Sequence, residues 1–185
     1  QQVFEVTTLA DVVDAGDGVV SLREAIADAN AAPGFDVITF ADDLRGGTIR
    51  LEPTLGSLVV TDDLSIDGDP LDRGPDSLRI DGGGGLAAIE LGALRAENTS
   101  LQVEDLTVQN VFDAGIMSME SELDLTRVAI EDVSGGADIS LWIRGGVLTM
   151  QESAIEMSAS EADAVLFEND ADVTIADSVI GIEGR

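Results

Sequence analysis

The sequence predicts an all-β fold: a right-handed parallel β-helix with three short strands per coil and one capping α-helix near its N-terminal end. Three observations carry this expectation. The second half repeats with a period of about 25 residues, which is a solenoid period. The apolar stock is Val, Ile, Leu and Ala, with hydrophobic residues at 44% and aromatics at only 3%, which suits a slim core. Short apolar runs in the first half are separated by strong turn signals such as Gly46-Gly47, Asp67-Gly68-Asp69-Pro70 and Asp81-Gly82-Gly83-Gly84-Gly85.

The chain reads as one domain over 1–185, with a cap region over 1–45 and stacked coils over 46–185, either whole or as a segment of a longer protein. In the cap region Ser21 is a good N-cap, Glu24 stands three residues later as in a capping box, and Leu22, Ala25, Ile26 and Ala29 form an apolar stripe. Asn30 and Pro33 end the helix. A β-helix has open ends, so an amphipathic helix ahead of the first coil is expected as a plug.

The earlier coils are marked by Ile49 with Leu51, Leu58 with Val60, Leu64 with Ile66, and Leu78 with Ile80. The regular coils follow as four copies of one pattern: Leu101, Val103, Leu106, Val108; Leu123, Leu125, Val128, Ile130; Leu148, Met150, Ser153, Ile155; and Val173, Ile175, Ser178, Ile180. Successive copies start 22, 25 and 25 residues apart. Alternation within each copy gives two strands, and the two-residue step between them is a bend that keeps apolar side chains inward. A third short apolar segment precedes each copy, at Ile89 to Leu91, Ile116 to Met119, Ile139 to Ile143 and Val165 to Phe167. The Leu-x-x-Leu-x-Leu-x-x-Asn signature of leucine-rich repeats is missing.

No second plug follows the last coil, which ends around Ile182, so its open end is expected to meet a partner or further chain. The terminal Ile182-Glu183-Gly184-Arg185 is also the recognition tetrapeptide of a common tag-removal protease, and reads either as such a scar or as native sequence.

Charge narrows the function classes. Asp and Glu number 37 against nine basic residues, all arginine, for a net charge of −28. Such a surface repels nucleic acid and anionic membranes, and no apolar run approaches a membrane span. It favours a setting where salt or divalent cations screen it. Cysteine and histidine are absent, which removes disulfides, thiol chemistry and imidazole catalysis.

Val6-Thr7-Thr8-Leu9-Ala10-Asp11, Gly16-Asp17-Gly18, Ser21-Leu22-Arg23-Glu24-Ala25-Ile26, Ala29-Asn30 and Asp36-Val37-Ile38-Thr39-Phe40 together resemble the CSLREA-type N-terminal module. That module opens right-handed parallel β-helix proteins exported by bacteria and archaea, often large, acidic, calcium-associated and adhesin-like. The match covers about the first 45 residues, with Val20 where the family has its leading Cys. The resemblance implies secretion to the cell exterior or surface, and a scaffold that meets itself, the rest of a longer chain, or an extracellular glycan or cell surface.

Few constellations could carry chemistry. In register, the bend residues Asp105, Arg127, Glu152 and Asp177 form a column, with carboxylates two rungs apart at ~9.6 Å. That is near the upper limit for inverting glycosidases, ~6.5–9.5 Å, so a polysaccharide-active hydrolase or lyase using these residues is the alternative to the scaffold. The plainer reading has Arg127 neutralise Asp105 and Glu152 on adjacent rungs. Carbohydrate clefts want aromatic platforms, and only Trp142 offers one. Asp11, Asp14 and Asp17 cluster in one loop and Asp62, Asp63, Asp67 and Asp69 around a turn, making calcium candidates, though neither set has EF-hand or β-roll spacing. No cofactor is required by any of this. The loop Gly82 to Gly85 lacks the Lys-Ser/Thr of a phosphate loop, and Asn98-Thr99-Ser100 is a glycosylation sequon by letter.

Overall fold

A computed structural model describes residues 1–69, 71, 78–83, 94–97, 99–131, 134–157 and 165–182. Every strand pairing in it is parallel, and strands pair coil upon coil in three columns around one apolar shaft. The first column stacks Val3–Val6, Asp36–Phe40, Leu64–Asp67 and Ser100–Glu104, then the second halves of the long strands Phe112–Thr126 and Ser134–Gln151, then Asp172–Ala176. The second column stacks Leu58–Val60, Leu94–Glu97, the first halves of the same two long strands, and Val165–Glu168. Thr48–Arg50, Leu78–Asp81, Leu106–Gln109, Ala129–Glu131, Ala154–Met157 and Val179–Ile182 form the third.

The register is the one the repeat predicts. Val103 pairs with Leu125, Leu125 with Met150 and Met150 with Ile175, while Val108, Ile130, Ile155 and Ile180 align in the third column. Inward positions are closed to solvent: Leu101, Val103, Leu123, Ile143, Leu148 and Met150 are fully buried. Because a one-residue slip would turn every one of these side chains outward, their burial fixes the stacking.

The third strand of each regular coil lies where expected at Ile116 to Met119, within Ile139 to Ile143, and at Val165 to Phe167. One coil earlier the second-column strand is Leu94–Glu97, three residues beyond the expected Ile89 to Leu91, which lies outside the described residues, as do Gly84, Gly85, Asn98 and Glu183 to Arg185.

The bends explain two features of the repeat. Asp105, Arg127, Glu152 and Asp177 all have left-handed backbone, with φ of 51°, 53°, 50° and 49°. Each turns the chain between the first and third columns, and the N–H groups of Asp105, Arg127 and Glu152 still bond the next rung, as in Arg127 N to Gln151 O at 3.0 Å. Beside this bend the pattern changes from Leu106 and Val128 to Ser153 and Ser178, and the serines act as local caps. Ser153 Oγ accepts from Val128 N at 3.0 Å and donates to Gln151 O at 2.8 Å; Ser178 Oγ does the same for Ser153 N and Ala176 O. A hydroxyl there satisfies a backbone N–H that the turning ladder would otherwise leave buried and unpaired.

The N-terminal end is plugged. Helix α1 spans Leu22–Ala31 and closes with the expected capping box, Glu24 N donating to Ser21 Oγ and Ser21 N to Glu24 Oε2. The Ser21 N–H first, and then the Asp14 N–H that donates to Glu24 Oε1 at 2.6 Å, hold the Glu24 carboxyl below its ordinary range. The stripe Leu22, Ala25, Ile26 and Ala29 is buried against Val3–Val6, Asp36–Phe40 and Leu58–Val60. Asn30 completes the seal by imitating a strand: its Nδ2 donates to Val59 O and its Oδ1 accepts from Thr61 N, both at 2.8 Å. Unpaired edge groups of the second column are thereby covered.

Candidate functional site

The acidic loops are spent on structure. Asp11 is buried and bound bidentately by Arg23, Nε to Oδ1 at 2.7 Å and Nη2 to Oδ2 at 2.8 Å, and also accepts from Glu52 N. Asp14 and Asp17 accept from the backbone of Gly16 and Val19 two residues on, as Asx turns do. Asp62 caps Gly34 N and Asp63 N, Asp63 takes Ser100 N and the Thr99 hydroxyl, Asp67 takes Asp69 N, and Asp69 pairs with Arg45. Among the described residues no group of three or more acidic side chains is placed to hold a metal ion, and the seven calcium candidates fall within that set. The sequence showed the carboxylates but not the backbone N–H groups that the coil corners aim at them.

Arg127 binds Asp105 bidentately, Nε to Oδ1 and Nη2 to Oδ2 both at 2.7 Å, and approaches Glu104 Oε2 at 3.6 Å. Of the bend residues, Asp105 and Arg127 are thereby brought together. The cation leans toward the N-terminal rung, while Glu152 accepts from Gln151 Nε2 at 3.4 Å. An open groove of about 340 Å³ lies on the outer face of the first column, lined by Gln102, Glu104, Glu122, Asp124, Thr126 and Thr149. It contains none of Asp105, Arg127, Glu152 and Asp177, nor Trp142. Trp142 lies between the inward-facing Leu141 and Ile143, so its side chain is on the outer face of the second column, where Nε1 donates to Glu168 at 3.1 Å. The pairing that a sugar-cleaving site would need, bend carboxylates in a cleft with an aromatic wall, is not assembled by these residues.

Carboxylates crowd the N-terminal part of the same column. Partial burial, then the charges of Glu104, Asp105 and Asp69, push the Asp67 carboxyl above its ordinary range against the opposing Asp69 N–H bond. A raised folded-state pKa means the native state holds that proton more tightly than the unfolded chain, so ionised Asp67 costs stability above the folded pKa and the cost vanishes as pH falls through it. Asp67→Asn, whose amide oxygen can still accept from Asp69 N, is expected to stabilise the protein at neutral pH by about 0.5 kcal/mol after solvent screening. The gain should shrink toward zero in acid, as read by denaturant titration at several pH values.

The last described coil is less covered than those before it. In the last coil Phe167, Ile175 and Ile180 are 42%, 42% and 41% exposed, while their partners one rung back, Ile143, Met150 and Ile155, are at 0%, 0% and 1%. The three strands of this coil, Val165–Glu168, Asp172–Ala176 and Val179–Ile182, are paired on one side only among the described residues. Glu168, Asp170, Asp172 and Asp177 are exposed around this edge, and the described residues of the coil include no arginine.

No protein-family model matches the chain, and no match is found among curated proteins or among solved structures. No helix in the described residues is long and apolar enough to cross a membrane.

Proposed function

We propose that the chain is an extracellular structural and binding segment of an adhesin-like or surface protein, acting as a scaffold rather than through catalysis. The observation that carries this reading is the use of the charged side chains: Asp11 and Asp63 cap backbone N–H groups, Asp69 and Asp105 pair with arginine, and the groove on the outer face is lined by none of the bend residues and by no aromatic ring. The resemblance of the first 45 or so residues to the CSLREA-type module supports an exported, surface-associated setting. Carboxylates used as backbone caps and as an exposed acidic face support a scaffold that stays soluble in salt.

Self-association is the simplest contact such a scaffold can make, and its acidic surface opposes it until salt screens the charge. Sedimentation equilibrium across protein concentrations is expected to give a monomer at low ionic strength and a mass increase at high salt. Calcium should act no differently from magnesium at equal ionic strength. A strict monomer at every salt concentration would refute self-association; a calcium-specific increase would instead assign the acidic loops an ion.

A further inference from the structure

Asp-Gly occurs three times in the sequence, at Asp17-Gly18, Asp67-Gly68 and Asp81-Gly82, and the local geometry is the same each time. The aspartate Oδ1 accepts from the backbone N–H two residues on: Val19 N at 3.0 Å, Asp69 N at 3.0 Å and Gly83 N at 2.7 Å. Such an Asx turn folds the carboxyl back over its own chain and holds Cγ beside the nitrogen of the intervening glycine. A glycine puts no Cβ in the way of that approach. The three sites differ in what holds the glycine. Gly68 N donates to Glu104 O at 2.9 Å and Gly82 N to Gln109 O at 3.0 Å, both on the next rung. The next coil also lies against these two glycines: a Cβ on Gly68 would run into the carbonyl oxygen of Asp105, and one on Gly82 into the side chain of Val111. Gly18 N makes no hydrogen bond among the described residues, nothing lies within 4 Å of where its Cβ would stand, and Val13 through Val19 are all exposed.

We propose that Asp17-Gly18 is a site of spontaneous covalent modification, where the backbone rearranges to isoaspartate, while the coil ladder protects the other two dipeptides. Gly18 N attacks Asp17 Cγ and forms a new C–N bond, and the hydroxyl of the protonated carboxyl leaves with the amide proton as water. The product is a five-membered cyclic imide. Water then adds to one of its two carbonyls and the C–N bond there breaks. Opening at Cγ restores aspartate; opening at the main-chain carbonyl leaves the chain running through Cβ and Cγ, with the main-chain carboxylate free. Water is the only co-reactant. At Gly68 and Gly82 the same attack removes an N–H from a carbonyl of the next rung and turns a peptide plane against the coil packed on it, so the barrier is higher. If the carboxyl alone decided, Asp67, which keeps its proton to higher pH than usual, would react first; the ladder reverses that order. The modified peptide lies between two ties of the cap, Asp14 N to Glu24 Oε1 at 2.6 Å and Val20 N to Thr7 Oγ1 at 2.8 Å. Isoaspartate adds one atom to the main chain between them, so the change falls on the outer surface of the plug and leaves the apolar stripe of α1 in place.

The test is ageing of the full chain for weeks in warm neutral buffer, native in one sample and unfolded in guanidinium chloride in another. Cleavage after arginine places the three sites in separate peptides, 1–23, 51–73 and 80–95. Electron-transfer fragmentation then reads isoaspartate at each position, with methylation by an isoaspartyl carboxyl methyltransferase as an independent count. In the native sample Asp17 is expected to accumulate isoaspartate about tenfold or more faster than Asp67 and Asp81, a barrier difference of about 1.4 kcal/mol. In the unfolded sample, where no rung holds Gly68 or Gly82, the three rates should agree within about threefold. Asp17→Asn reaches the same cyclic imide by losing ammonia, and should therefore yield a mixture of aspartate and isoaspartate at position 17 in the native chain. Isoaspartate at Asp67 or Asp81 of the native chain at the rate of Asp17 or above would overturn the proposal. So would a native Asp17 that stays unmodified while the unfolded chain reacts. The same tenfold order in denaturant would mean that flanking residues set the rates, and the protective role of the ladder would fall.

Discussion

Arg23→Met is expected to lower the stability of the N-terminal half by about 3–5 kcal/mol, the range for removing one member of a buried ion pair. Arg23 does more than neutralise Asp11. Its Nη1 donates to Ser57 O at 2.9 Å and Leu55 O at 3.3 Å, and its Nη2 to Gly56 O at 2.9 Å, so one guanidinium ties the helix, the preceding loop and the turn before Leu58–Val60 together. Methionine preserves the apolar stem but leaves the Asp11 carboxylate, with a side chain only 1% exposed, to the N–H of Glu52 alone, and it strips three carbonyls of the guanidinium donor. Lysine should rescue little, because an ammonium cannot span a bidentate carboxylate and three carbonyls at once. Solenoids couple mainly between neighbouring coils. Hydrogen exchange should therefore accelerate most in α1 and in Asp36–Phe40, with the coils beyond Ser100 much less affected. Uniform loss along the whole chain, or a change below 1 kcal/mol, would contradict the clamp.

That pair also marks where sequence reading stops. The period of the second half was legible because stacked coils impose the same inward positions on every repeat, so Leu101, Leu123, Leu148 and Val173 recur in step and align as pairs. The capping box was legible because its partners are three residues apart. Arg23 finds Asp11 twelve residues away and carbonyls more than thirty residues away, and backbone acceptors leave no letter in the sequence. The same reason hid the fate of the acidic clusters: Asp63 reads as a calcium candidate by spacing, yet its oxygen meets Ser100 N and Thr99 Oγ1 from a later coil. In the bend column the alignment of Asp105 and Arg127 followed from period alone, while the groove formed on the outward faces of the neighbouring strands, where period-2 alternation says only that side chains are exposed. Leu94–Glu97 was missed for a related reason: a long Gly-rich segment precedes it, and alternation cannot tell which of two short apolar pieces will reach the column.

The corner between the second and first columns sets up a contrast within a single dipeptide, Gly145-Gly146. Both glycines have positive φ, 70° and 79°, so alanine at either carries a left-handed backbone cost of about 1–2 kcal/mol. They differ in what a Cβ would meet. At Gly145 the nearest atoms belong to the carboxylate of Glu120, 2.7–2.8 Å away, the far end of a flexible side chain that can swing into solvent. At Gly146 the Cβ would overlap the backbone carbonyl oxygen of Ser121 and lie 2.6 Å from its nitrogen, on a strand paired in register with its own. Nothing there can move without shifting a rung, and Ser121 also holds Thr99 N from the coil before, so the displacement would pass through three coils. Gly145→Ala is thus expected to cost about 1–2 kcal/mol, close to the backbone term alone. Gly146→Ala should cost about 3 kcal/mol or more, the added part being overpacking. Denaturant melts of the two variants decide the matter, with Glu120→Gln as a control that leaves the corner's shape unchanged. Equal losses would show that φ alone governs the corner; a larger loss at Gly146 would show that the spacing between rungs does, and that the solenoid tolerates no side chain where its coils approach most closely.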